Sequence, residues 1–137
     1  MRTGLRIRGF RGHPVAREAV IRFAKWLRSQ YEFPIRVPVY LFPSEYIITM
    51  HGEKVSASLF APWDRKTEPF IRIATGDYPK RRRLRGRDDA LAAILNSFAH
   101  ELVHYRQWVE TGEVWERGVI QRAQGIVDRY ARTVDRP

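Results

Sequence analysis

The chain reads as a single α+β domain. Apolar residues recur at helical spacing near the N-terminus and again over the last third, while the middle alternates β-branched and aromatic residues between turn signals. Its 137 residues suit one hydrophobic core, and no repeat or compositional break divides them.

Residues 1–13 form a basic N-terminal segment, either a mobile tail or a loose strand around Leu5-Arg6-Ile7-Arg8. The single domain then runs from 14 to 137. Pro14 suits the first turn of a helix, where a missing N–H costs nothing. Ala16, Val20, Phe23, Leu27 and Tyr31 continue that helix on one face, and Phe33-Pro34 ends it. Val37 to Phe42 reads as a strand, placed at an edge by Pro38. Tyr46 to Met50 and Val55 to Phe60 read as two strands joined by a turn at His51-Gly52-Glu53-Lys54, and Phe70 to Ala74 as another strand of a small antiparallel sheet. Lys80 to Arg87 is a charged link, with Asp88 or Asp89 capping the next helix. Two helices follow, over roughly 89–111 and 114–133, with Gly112 in the turn between them.

Composition narrows the chemistry. There is no Cys, which removes disulfides and thiolate ligands and leaves His and carboxylate as metal donors. No apolar run approaches the roughly 18 residues of a membrane span, and Met1-Arg2-Thr3-Gly4-Leu5 does not open a secretory signal, so a cytoplasmic location is expected. The net charge of +10 favours contact with polyanions such as nucleic acid. Lys80 to Arg87 is the tract that would make it, although it lacks the interleaved aromatics of a base-stacking platform.

His100-Glu101-Leu102-Val103-His104 fits H-E-x-x-H. On a helix, residues four apart stand one above the other, so both imidazoles reach one ion, and Glu101 is placed to take a proton from water. At 100° per residue, Ala93, Asn96, Gln107 and Thr111 fall within about 40° of the histidine line. Leu91, Leu95, Phe98, Leu102, Tyr105 and Val109 fall on the other side. The helix therefore packs through its back and presents its histidines to a polar space.

Catalytic zinc usually takes three protein ligands. In the last helix Ile120, Ala123, Val127, Tyr130 and Val134 form an inward stripe, and one turn upstream of it stands Glu116. Glu116 ranks first as third ligand, Glu113 second and Glu110 third. Arg106, Arg122 and His51 are candidates to steady an oxyanion; Tyr105 is directed into the core. His13 reads as a helix-initiating residue and His51 as a turn residue. Trp108 and Trp115 stand close enough to the site to line a pocket.

With these residues in place the chain resembles the gluzincins, zincin-like metallopeptidases whose H-E-x-x-H helix is completed by a glutamate on a later helix, and most closely the minigluzincins. Organisation is shared over residues 14 to 133, and the specific motifs span His100 to Glu116. The resemblance implies zinc held by His100, His104 and Glu116, Glu101 as general base, and a polypeptide substrate. It also implies an edge strand above the cleft, placed at Phe70 to Ala74, on which an extended peptide adds. A SprT-like protease would suit the basic charge, but that family uses a later histidine and none follows His104.

Overall fold

In the computed structural model, which describes residues 2–9 and 11–134, the N-terminal segment is a strand, β1 (Leu5–Arg8). Leu5 is fully buried, and that burial holds the segment in the sheet. Helix α1 (Pro14–Gln30) follows. His13 caps it, its Nδ1 accepting from Val15 N at 3.3 Å. Ala16, Ala19, Val20, Phe23, Ala24 and Leu27 form its buried stripe.

Strands β2 (Val37–Phe42), β3 (Ile47–Ile48), β4 (Lys54–Val55), β5 (Ala57–Phe60) and β6 (Phe70–Ala74) come next. The main sheet has the order β1-β2-β6-β5. It is mixed and mostly parallel, not antiparallel: β1 runs parallel to β2 and β2 to β6, and only β5 is antiparallel, to β6. The reason is the connections. A whole helix intervenes between β1 and β2, and long crossovers of that kind join parallel neighbours. The predicted hairpin exists as β3 and β4 alone, with Ile47 opposite Val55; after Ser56 the chain leaves it and β5 pairs with β6. Pro38 therefore lies on an inner strand and is buried.

Lys80 to Arg85 belongs to a helix, α2 (Tyr78–Arg85), rather than to a link. Arginine is a good helix former, and the i,i+4 pair Arg81 Nε–Asp77 Oδ2 at 2.6 Å ties down its first turn. Helix α3 (Arg87–Thr111) begins at once, with Gly86 at its N-cap. Asp88 and Asp89 sit in its first turn, where the macrodipole favours them, and do not cap it. Gly112, at φ 81°, closes the helix in the left-handed conformation, its N–H donating to Trp108 O. Helix α4 (Val119–Ala131) starts five residues later than the periodicity suggests, because Gly118 at φ 79° sets its entrance. None of the described helices is long and apolar enough to cross a membrane.

Helices α1 and α3 pack side by side on one face of the sheet, α1 over β1 and α3 over β5 and β6, and α4 lies along α3. The core between these layers contains Val37, Val39, Ile71 and Ile73 from the sheet and Leu91, Leu95 and Phe98 from α3. Phe23 joins the three helices, its ring 5.7 Å from Phe98 and 4.8 Å from Tyr130. Tyr105 is core, as the helical wheel predicts: it is fully buried and its hydroxyl donates to Ile35 O. Burial pushes that phenol up to about 12. All of this fixes the rotation of α3. The opposite side is not the open polar face that the helical wheel suggests: His104 and Gln107 are buried there beneath the chain returning at Trp115 and Glu116, and His100 is half-buried.

Candidate metal centre and active site

The half of α3 that carries His100 and His104 is held from two directions. Its apolar back is in the core, and its N-terminal flank is tied to the chain entering β5 by Ser56 Oγ–Ser97 Oγ at 2.9 Å. Trp108 is buried, its indole N–H donating to Pro62 O at 2.9 Å, which anchors the loop after β5. Trp108 is therefore packed in the interior and is not among the residues walling the cleft beside His100.

His100 and His104 point to one place. Their Nε2 atoms lie 3.3 and 3.0 Å from the two carboxylate oxygens of Glu116, and one ligand atom from each residue falls within 4.8 Å of the others. Tetrahedral zinc with ligands at about 2.1 Å separates its donors by about 3.4 Å, and the two histidine–carboxylate distances are near that value, so the group could hold a metal ion. Two neutral imidazoles and a carboxylate also suit a borderline ion such as zinc better than calcium or magnesium.

Glu116 is not on the last helix. It stands in the turn between α3 and α4, its carbonyl accepting from Val119 N at 3.1 Å. The stripe that pointed to it is also different: Val119, Ala123, Ile126, Val127 and Tyr130 are buried, whereas Ile120 is 70% exposed. What delivers Glu116 is the tight fold-back at Gly112 and Gly118, which returns the chain over the histidines. Glu113 and Glu110 lie outside the cluster; Glu113 is exposed, and Glu110 faces Arg106 at 4.0 Å.

Behind His104 stands Gln107, 2% exposed. Its Oε1 accepts from Trp115 N at 3.0 Å, which fixes the orientation of the amide, and lies 2.9 Å from His104 Nδ1. With that oxygen as acceptor, Nδ1 of His104 is the donor, which leaves Nε2, the atom facing Glu116, as the one that would ligate an ion. Gln107 thus joins the ligand histidine to the backbone of the loop that carries Glu116. Its place three residues after His104 is the signal of this role in the sequence.

Glu101 is buried, with 9% of its surface exposed. Burial pushes its carboxyl up to about 7; nearby His104 lowers it, Glu116 raises it, and a backbone hydrogen bond from Leu59 lowers it. Leu59 belongs to β5, the strand at the free edge of the sheet. Ala74 N bonds Ser56 O at 2.9 Å, so by antiparallel alternation Ser58 and Phe60 also bond to β6, and the backbone groups of Ala57 and Leu59 face outward. The edge strand beside the site is therefore β5, not Phe70 to Ala74, which is an inner strand with Ile71 and Ile73 fully buried.

A cleft of about 450 Å³ opens beside His100 and Glu101, walled by Ser56, Ala57, Ser97 and Ile120. Asn96 lies on its rim, donating to Gln124 at 2.9 Å. The oxyanion candidates are elsewhere. Arg106 and Arg122 line a different cavity, and His51 is exposed in the β3–β4 turn.

Because the folded carboxyl of Glu101 titrates above its ordinary 4.5, the metal-free protein carries a charge penalty that is absent below about pH 4.5 and complete above about 7. Glu101→Gln removes that penalty. In the metal-free state the variant is expected to match wild type in stability near pH 4 and to exceed it near pH 8 by about 3 kcal/mol. Urea unfolding at the two pH values checks this, and equal stability at pH 8 refutes it.

The chain matches no family model, no curated protein and no solved structure.

Proposed function

We propose that the chain is a zinc-dependent peptidase that hydrolyses extended polypeptide. The observation that carries this is the convergence of His100, His104 and Glu116 on one point, with the buried carboxyl of Glu101 beside it and the free edge of β5 alongside. What supports the likeness to the minigluzincins is the H-E-x-x-H helix followed by a glutamate just before the last helix; the mostly parallel sheet departs from the small antiparallel sheet the likeness implies.

When bound, zinc supplies a Lewis acid that lowers the pKa of water towards about 7. The rest falls to the chain. His100, His104 and Glu116 hold the ion, and Gln107 fixes the tautomer of His104. The outward N–H and C=O of Ala57 and the outward C=O of Leu59 offer hydrogen bonds to a peptide laid along β5 as an added strand, while the N–H of Leu59 is engaged by Glu101. The cleft beside His100 takes a substrate side chain, and its mixed walls favour an uncharged one of moderate size. Glu101 takes a proton from the attacking water and passes it to the leaving amine.

Incubating the zinc-loaded protein with an unstructured polypeptide such as casein is expected to yield fragments, and a chelator is expected to stop their formation. Stoichiometric zinc without cleavage across a panel of unstructured substrates would count against peptidase activity. Contact with nucleic acid or another polyanion is a second proposal, and α2 favours it. That helix presents Lys80, Arg82, Arg83 and Arg85 at the surface; among the described residues Arg81 alone of its basic side chains is in an ion pair, with Asp77.

A further inference from the structure

We infer a second binding site, for a small oligophosphate, on the flank of α3 next to the histidine cluster and separated from it by Gln107. A cavity of about 620 Å³ lies there between α3 and α4. Four arginines line it: Arg106 from α3, Arg122 and Arg129 from α4, and Arg132 at the end of α4. Glu110 is the one carboxylate among the lining residues, at 4.0 Å from Arg106.

Two of these guanidiniums are gathered on a single ring. Arg106 Cζ lies 4.9 Å and Arg129 Cζ 5.7 Å from the centre of Tyr31, and Arg129 also donates to the Tyr31 hydroxyl. Four arginines against one glutamate among the lining residues give the hollow a positive potential that favours an anion of high charge. Arginine rather than lysine at all four positions suits phosphate, whose oxygens match the planar fork.

Independent of charge, the floor of the cavity lacks an acceptor. Gln107 is part of the wall and 2% exposed, and its Oε1 is taken by His104 and Trp115. Its Nε2 is buried with no partner among the described residues. A buried amide N–H without a partner costs about 1–3 kcal/mol. A phosphate oxygen seated on that floor supplies the acceptor after a small shift of the wall. The ligand is thus an oligophosphate with about three negative charges, free or carried by a nucleoside that rests on the half-exposed Trp115. The site does not depend on the metal, although Gln107 stands between the two.

The test is titration of the full-length chain with tripolyphosphate and with a nucleoside triphosphate, followed by calorimetry. Two charge-reversed proteins are compared with wild type: Arg122→Glu with Arg132→Glu in the cavity, and Arg82→Glu with Arg85→Glu on α2. All four positions are exposed, the change in charge is equal, and the metal ligands are intact, so any metal withdrawn by the anion is withdrawn alike. Wild type should bind one equivalent saturably. The cavity variant should bind at least tenfold more weakly, and the α2 variant less than twofold. If the cavity variant does not fold by circular dichroism, Arg122→Gln alone takes its place, with a weakening of at least threefold expected. Binding by both ligands upholds the site with a nucleotide as its source, and binding by tripolyphosphate alone upholds it with a free oligophosphate. No saturable binding, or equal weakening in the two variants, overturns it. Zinc content measured on the same samples separates this outcome from failure of the metal site.

Discussion

Glu101→Gln is expected to lower the rate of peptide hydrolysis by roughly 10³- to 10⁴-fold, within or near the range general acid–base groups contribute, while zinc remains bound. Glutamine keeps the shape of the side chain, so its place beside the edge strand near Leu59 is retained. It cannot accept a proton from water. Since Glu101 is not among the three converging ligands, metal content should be unaffected. The same substitution is expected to stabilise the metal-free fold at pH 8, because ionising a carboxyl that is buried there costs stability. A variant that loses activity and also loses its zinc would place Glu101 in the ligand set instead. Full activity would remove the proposed mechanism.

Substitution of the ligands is the second large effect, and the individual ligands should differ. His104→Ala removes a side chain that is only 8% exposed and bonded to Gln107, so the metal-free protein should lose on the order of 1–2 kcal/mol in addition to its metal. Glu116→Ala removes a side chain 77% exposed, and the metal-free protein should be about as stable as wild type. Zinc at 100 times its dissociation constant should stabilise wild type by about 2.7 kcal/mol and neither variant appreciably. Thermal unfolding with and without zinc gives both quantities. A Glu116→Ala protein with undiminished zinc response would return the third-ligand role to Glu113 or to another group.

The helices were legible in the sequence wherever one face is apolar. Phe23 and Leu27 on α1, and Leu91, Leu95 and Phe98 on α3, are buried as their spacing predicts. Helix α2 was not legible, since a solvated run of arginines has no apolar face, and its helical state rests on propensity and on the pair with Asp77. Strand pairing is a long-range property. Nothing in Val37 to Phe42 states that its neighbours are Leu5 to Arg8 and Phe70 to Ala74, so the parallel sheet and the identity of the edge strand could not be read locally. The motif around His100 was readable because its spacing is its geometry. Glu116 was placed for a reason the fold does not use: the stripe predicted a helix already formed at 114, while Gly118 holds the chain in a turn that brings the carboxylate over both imidazoles. Gln107 was visible only as a polar residue on the histidine face; its two partners depend on the return of the chain at Trp115.

Zinc-edge X-ray absorption on the protein loaded with one equivalent tests the metal centre most directly. Two imidazole nitrogens at about 2.0–2.1 Å, with oxygen ligands at about 2.0–2.2 Å, are expected, and one imidazole should be lost in His104→Ala. A shell of oxygens alone, or a spectrum that His104→Ala leaves unchanged, would contradict the assignment.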